Sequence, residues 1–437
     1  MMLKKLRSLG EFRCVFLIVL LAFTLRVAVI PFLLGDVTNP ARNHWHFGWE
    51  EGRIARSLAS GQGFSSPLFG YTGPTAWTTP VYPYLLAGVF RVFGIYTREA
   101  AWAILILNSL FSALTCIPIY SIGKRCFDRT SAIWAAGIWA VFPYAIYFAS
   151  GYVWGFCLDA LMLTLVVWCT LAMEGETRLI RWAGYGLLWG AAALTNADVL
   201  STLPFLLGWL VWRHARSGTR WRLNSAVAML LLALMVFPWF LRNYNTFGRF
   251  IPFRSTFWVA FREGNTGDTS DLFPDWTNPA HNPTEMEEYR RLGEMGYVNE
   301  KKLASLNFIK RYPGLYLLLS TRRLIFTWTG FWSLRKDYLA GEPFAFPNII
   351  LLTTLTVLLL IGAWRAVHVN REAVLPLLLV LASYPVVYYI AHSGAEYRHP
   401  IDPICVVFIG YLAGSTIPRR AHPRLDSGAG VCVPLTR

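Results

Sequence analysis

Apolar runs recur along most of this chain, parted by short polar or basic interruptions. A bilayer span needs roughly 20 apolar residues, and Lys and Arg collect on the cytoplasmic side of each span. Together these rules predict spans at about 14–34, 100–123, 130–149, 152–173, 182–196, 199–212, 223–241, 347–366, 373–391 and 401–417. The clusters Lys4-Lys5-Arg7, Lys124-Arg125, Arg178 with Arg181, Arg213 to Arg222, Arg365 to Arg371 and Arg419-Arg420 then all fall inside. Residues 80–93 are apolar but short and interrupted by Arg91, and counting them as a span would push the later basic clusters outside. They are expected to lie in the interface, as is the stretch 315–332, broken by Arg322-Arg323.

The expected architecture is an all-α polytopic membrane protein of about ten spans with both termini cytoplasmic. Residues 1–241 hold spans one to seven and the first outer loop, 35–98; residues 242–346 form an outer-face polar region; residues 347–418 carry the last spans, and 419–437 a cytoplasmic tail. The first apolar run lacks a small-residue cleavage site and reads as a retained span rather than a signal peptide. No internal repeat is visible, which counts against a transporter built from inverted halves.

Composition sharpens this. The 437 residues are 55% hydrophobic and only 15% charged, too apolar for a soluble domain. The net charge of +15 sits in the inner loops, so it speaks for topology and not for nucleic acid. The seven cysteines show no paired spacing, and no Cys/His cluster suggests zinc or a disulfide framework.

The chemistry therefore belongs in the polar segments. The first outer loop places Glu50 and Glu51 among Trp45, Phe47, Trp49 and Phe64. At helical spacing Glu50 stands one turn before Arg53, which also suits an ordinary exposed ion pair. An apolar surround, however, raises a carboxylate's pKa and makes it a usable base. Trp77 and Tyr82, in the Gly- and Pro-rich stretch that follows, fit either headgroup anchors or the wall facing Glu50. Arg242, Arg254 and Arg398 are arginines on the disfavoured outer face, suited to lipid phosphates or to a phosphodiester bound by a guanidinium fork. Arg398 is the preferred candidate because it begins the last span beside a helix N-terminus. Asp159 interrupts a span, and Asn196 and Asp198 read as turn formers. The long polar stretch from 242 to about 313 is acid-rich, with Glu263, Asp268, Asp271, Asp275, Glu285, Glu287 and Glu288.

Three motifs carry a family resemblance: an acid before Ile54-Ala55-x-x-Leu58-x-x-Gly61-x-Gly63-Phe64 with Pro80-x-Tyr82-Pro83 behind it, then Pro238-Trp239-x-x-Arg242-Asn243-Tyr244-x-x-Phe247-Gly248, then Tyr397-Arg398-x-Pro400. Their order and topology resemble glycosyltransferase family 39 of the GT-C superfamily, related to protein mannosyltransferases and lipid A aminoarabinose transferases. The resemblance implies a GT-C-like bundle in a cell inner membrane. It implies transfer of a sugar from a polyprenyl-phosphate donor to a lipid, glycan or protein acceptor on the outer (periplasmic) face, with inversion. The family's first-loop acid falls on Glu50, with Glu51 as the alternative; the family often has Asp there, and no second acid follows in 70–83. A divalent cation, Mg²⁺ or Mn²⁺, could be held by Glu50 with Glu51 and a phosphate. The rival readings are a flippase or transporter of lipid-linked glycans and an O-antigen-type polymerase or ligase. The latter is weakened because His281 is the only histidine in the large outer region.

Overall fold

The computed structural model of the chain describes residues 10–218, 220–268, 274–342 and 344–416. The basic residues Lys4, Lys5, Arg7, Arg419 and Arg420, the acid Asp271 and the 419–437 tail lie outside the described residues. Every regular element among the described residues is a helix, and the nearest approach to a strand is one antiparallel bridge between Ser65 and Pro74.

The first long helix, α1 (Glu11–Val37), is followed by α2 (Trp49–Ala59) and α3 (Val81–Phe93), the short helix expected at 80–93. Then come α4 (Arg98–Leu114), α5 (Cys116–Cys126), α6 (Arg129–Ala140), α7 (Pro143–Gly151) and α8 (Phe156–Ala172). The middle of the chain supplies α9 (Leu179–Thr195), α10 (Leu203–Arg216) and α11 (Trp221–Phe247), with a 3₁₀ turn at Ala197–Thr202 between α9 and α10. Past α11 lie α12 (Phe257–Glu263), α13 (Pro283–Arg311), α14 (Pro313–Thr329) and α15 (Lys336–Gly341). The chain finishes with α16 (Ala345–Ser383), α17 (Val386–Ile390), α18 (Ala395–Arg398) and α19 (Asp402–Ser415).

The structure is that of a membrane protein. In the most apolar stretch of α11 only 22% of residues are buried by protein. Leu230, Leu234, Phe237 and Leu241 stand exposed along it, one turn apart, a stripe that only lipid can cover. Four helices among the described residues are long and apolar enough to cross a bilayer: α1, α4 with α5, α11, and the run Ala345–Ile390. A fifth is the α6–α7 pair, bent by 43°. The other expected spans appear as shorter helices, α8 and α9 at 17 residues each and α10 and α19 at 14 each. Spans eight and nine are one helical run whose backbone leaves helical geometry at Asn370, among the basic residues read as their inner loop.

The interior is tied together by small residues and by arginines with many acceptors. Gly186 and Gly190 let α9 cross α11 so closely that a Cβ on Gly186 would lie 2.1 Å from the Ala228 carbonyl oxygen. Arg26, fully buried within α1, donates to Ser112 Oγ and to the carbonyls of Ala22 and Ala140, each at 2.9 Å, and to Trp139 at 3.0 Å. The last two carbonyls close α6, where a helix end leaves acceptors without donors. An arginine that interrupts the first apolar run is thereby the staple holding it to the α6–α7 bend.

One stretch departs from expectation. The polar region after 242 holds a 29-residue helix, α13, where only loop was expected. Its apolar side buries Met286, Tyr289, Tyr297 and Phe308 against the bundle end, while Lys301 sits among Glu285, Glu288 and Glu300. Of the charged residues that masked it in the sequence, Glu285, Glu288, Arg291, Glu300 and Lys301 pair with one another.

Candidate active site

The first turn of α2 is set by a tight approach. A Cβ on Gly52 would sit 2.0 Å from the Phe47 carbonyl oxygen, so the 45–49 segment folds directly onto the helix that bears Glu50 and Glu51. Gly52→Ala is therefore expected to cost roughly 1–3 kcal/mol through forced backbone movement. Thermal unfolding in detergent checks this, and an unchanged midpoint would contradict the packing described.

The two glutamates open onto a cavity of about 330 Å³. Each of its walls comes from a helix end or a connecting segment: the start of α2, residues 77–79, the α7–α8 junction, the end of α9 with the following turn, residues 254–263, residues 274–281, and 388–397. All these ends therefore lie at one end of the bundle. Aromatic rings form much of the lining, with Trp49 stacked on Tyr152 at 5.0 Å and Trp154 on Phe156 at 5.6 Å. Flat apolar faces edged by carboxylates suit a polyhydroxylated ring, whose C–H face packs on the aromatic while its hydroxyls donate.

Among the described residues six carboxylates line this space, Glu50, Glu51, Asp159, Asp198, Glu263 and Glu396, with a single arginine, Arg254. So many anions in one poorly hydrated cavity cannot all remain charged. Burial pushes Glu50 up to about 6, while its own backbone N–H and the Trp77 indole pull it part of the way back. Glu51 is driven well above the usual range by burial, then by Asp159 and Glu50, against a Gly155 backbone donor and Arg254. Its Oε2 is buried with no hydrogen-bond partner, as expected of a group that holds its proton. Burial and the Glu50 charge raise Glu263 to about 8, although Asn278 donates to it at 3.2 Å. Glu396 rises to about 7, chiefly by burial. His392 is held down to about 3 by burial and by Arg254 and Arg323, so it is neutral.

The structure sorts the sequence candidates. Glu50, Glu51 and Trp77 line the cavity, and so does Arg254, whose Nη2 meets both Asp198 carboxylate oxygens at 2.7 and 2.9 Å. Asp198 also accepts from the Tyr388 hydroxyl at 2.6 Å. Asp159 accepts from Asn196 at 2.9 Å, and both line the cavity. Asn196 does form a turn, accepting from the Asp198 backbone N–H at 2.9 Å, yet turn and cavity wall are the same residues. His281 lines the cavity too, its ring 6.0 Å from Trp45.

Three candidates do not reach the cavity. Arg398, the preferred phosphate ligand, is 1% exposed and donates to Asp402 one helical turn on at 2.9 Å, with its guanidinium over Trp328. Its charge is consumed by a buried ion pair with the residue that starts α19. Arg242 spends its donors on the carbonyls of Thr75 at 2.5 Å and Phe64 at 2.7 Å and lies against Phe64 and Trp239, bracing the outer loop. Tyr82 is 1% exposed and exchanges hydrogen bonds with Asn108, so it is neither headgroup anchor nor cavity wall. Glu263, seen in the sequence only as one of many acids, and Glu396, beside the Tyr397-Arg398 motif, are the site carboxylates that sequence reasoning did not single out. Among the described residues no group of three or more His, Cys, Asp or Glu side chains is arranged to hold a metal ion. Glu50 and Glu51 do not form a metal site by themselves.

Residues 77–241, from the cavity wall at Trp77 to the far part of α11, match the family model described as dolichyl-phosphate-mannose-protein mannosyltransferase. Archaeoglobus fulgidus AglB, an archaeal oligosaccharyltransferase solved in complex with an inhibitory peptide and a dolichol-phosphate, superposes on 94% of this chain at TM-score 0.55 with 14% identity. The chain shares its fold with that oligosaccharyltransferase, and its residues 77–241 resemble the mannosyltransferase family. The apo form of the Archaeoglobus fulgidus oligosaccharyltransferase gives TM-score 0.54 over 91% of this chain with 13% identity. ArnT from Cupriavidus metallidurans bound to undecaprenyl phosphate reaches TM-score 0.40 at 15% identity over 93% of the chain, a likeness too weak to bear on the fold. The chain spans about half the length of the oligosaccharyltransferase, 53% and 50% of the two structures. No curated protein sequence matches it.

Proposed function

We propose that this GT-C protein transfers a sugar from a polyprenyl-phosphate carrier to an acceptor hydroxyl or amide at the outer face of a cell inner membrane, both termini being cytoplasmic. The observation that carries the reading is the meeting of Glu50 with Arg254 in one aromatic-lined cavity at the end of a membrane bundle. Glu50 takes the proton of the acceptor as its oxygen or nitrogen attacks the anomeric carbon. The bond from that carbon to the phosphate oxygen breaks in line, so the configuration inverts. The departing lipid phosphate is a good leaving group and needs charge stabilisation more than a proton. Arg254 supplies part of it, and Glu263, protonated at neutral pH, adds a hydrogen bond. The neutral state of several cavity acids is what makes an anionic phosphate tolerable beside them. A divalent cation would draw on Glu50 or Glu51 and on oxygens of the donor phosphate itself, and no step above runs through one. The division into spans one to seven with the first loop, an outer region and the last spans is part of the same proposal.

Purified full-length protein given radiolabelled polyprenyl-phosphate sugars and candidate acceptors is expected to yield labelled acceptor and free lipid phosphate. A flippase would instead move intact donor across a vesicle bilayer without cleaving it, and that outcome would reject the transferase reading. The pH dependence adds a second check. Glu50 is a base only in its ionised form, which exists above about 6, and Glu263 donates only in its protonated form, which exists below about 8. The rate is expected to fall on both sides of that window. A rate that climbs steadily through the upper limit would remove Glu263 from the mechanism.

A further inference from the structure

Glu294 does not line the cavity, yet it joins two of its walls. The long helix α13 breaks at Gly293, whose φ of 68° and ψ of 168° form a conformation essentially reserved for glycine. The break turns the next residue inward, and Glu294 is only 6% exposed. Its carboxylate accepts from the Thr75 hydroxyl, from the Ala76 backbone N–H at 2.8 Å, from Ser255 Oγ at 2.8 Å and from the Tyr289 hydroxyl at 3.3 Å. Burial raises the Glu294 carboxyl above the usual range, and these four donors pull it back toward the ionised form. Two of these donors precede Trp77, and a third follows Arg254. The same two segments also meet directly, Ser255 N–H donating to the Ala76 carbonyl at 2.7 Å and Thr256 Oγ1 to the Trp77 carbonyl at 3.0 Å.

We propose that Glu294 is a positioning residue: by pinning Thr75 and Ala76 to Ser255 it fixes where the Trp77 indole meets Glu50. Trp77 and Glu50 line the same cavity, and the indole is the side-chain group that favours ionised Glu50. The groups facing Glu50 from elsewhere act in the opposite sense: Glu51 on its own helix, Glu263 from α12 and Tyr397 from α18 are all acidic. The Arg242 guanidinium and the Glu294 carboxylate also act on each other electrostatically. Releasing the strap at 75–77 therefore leaves Glu50 to these acids, its own backbone N–H and an Arg254 already paired with Asp198, and it keeps its proton to higher pH. This deepens the reading of Glu50 as the base and rests on it for its catalytic meaning.

The test uses the full chain in detergent and a hydrophobic carbodiimide, which reacts with a carboxyl in its protonated form. Labelling of Glu50 is read by peptide mass spectrometry as a function of pH. The unaltered protein is expected to lose labelling around a midpoint of about 6. Glu294→Gln is expected to raise that midpoint by roughly half a unit or more. Trp77→Phe, which keeps the ring packing and removes the N–H, is expected to give a shift of similar size, and Glu294→Gln added to it no further one. Ser255→Ala removes a single donor and is expected to give a smaller shift in the same direction; it carries the test if Glu294→Gln does not fold. An unmoved midpoint in a folded Glu294→Gln or Ser255→Ala protein overturns the proposal, and so do additive shifts in the double variant. Labelling does not depend on sugar transfer. Absence of transfer with these shifts intact would sink the transferase reading and leave the positioning role standing.

Discussion

Replacing Glu50 with glutamine is expected to lower sugar transfer by roughly a hundred- to ten-thousandfold, the range for removing a positioned general base. The substitution keeps the side-chain shape and can still accept from the Trp77 indole, so folding should survive. What disappears is the ability to take a proton from the acceptor. Glu50 is favoured over Glu51 on physical grounds. Glu50 is half-buried and ionises near neutrality, whereas Glu51 is 5% exposed, sits against Asp159 and keeps its proton. Glu51→Gln then exchanges one neutral group for another, and its cost is expected to stay within about tenfold. Single-turnover transfer from labelled donor measures both. If the larger loss falls on Glu51→Gln, the base is Glu51; if neither variant loses rate, the first-loop acids are not catalytic.

The second large effect is expected at Arg254. Arg254→Ala strands Asp198, which is 10% exposed at its side chain and is left with the Tyr388 hydroxyl as its side-chain donor among the described residues. Removing one partner of a buried pair costs about 3–5 kcal/mol. The Arg254 side chain is 35% exposed, so about 2–3 kcal/mol is the better expectation here. Asp198→Asn in the same protein removes the stranded charge and is expected to recover most of the stability. It should not recover transfer, because the phosphate partner is still missing. Arg254→Lys keeps the charge without the fork and is expected to raise KM for the lipid donor more than it lowers kcat. Thermal unfolding and transfer assays on these variants separate the two roles. Full recovery of transfer in the Arg254→Ala/Asp198→Asn protein would make Arg254 structural only.

The contrast among the three outer-face arginines shows how far sequence reasoning reaches. Arg242, Arg254 and Arg398 look alike in sequence, each a guanidinium against the topological rule and each near a Pro-containing aromatic motif. Their fates differ because of the acceptors they meet. Arg398 has an aspartate one helical turn on at the buried start of α19. Arg242 has carbonyls of an outer loop more than 160 residues earlier, at Thr75 and Phe64. Arg254 meets Asp198 in the α9–α10 turn. Only the first of these partners is near enough in sequence to be anticipated, and its i, i+4 spacing was the available signal.

The hydrophobic pattern by itself determined the class of the protein, the short helix within the first outer loop and the amphipathic one, expected at 315–332 and found at Pro313–Thr329. It also picked out the loop that bears the acids, because a run of apolar residues has few fates outside a bilayer and polar residues beside it must be accounted for. The family resemblance and the GT-C fold agree with that reading. Tertiary structure alone decided the rest. It showed α13 where charges paired within the helix hid its buried face. It gathered Asp159, Asp198, Glu263 and Glu396 around Glu50, and it chose one arginine of three. The reason is that burial, and the donors and acceptors a side chain meets, depend on segments hundreds of residues apart. A carboxylate's proton affinity follows from those neighbours and not from its place in the chain.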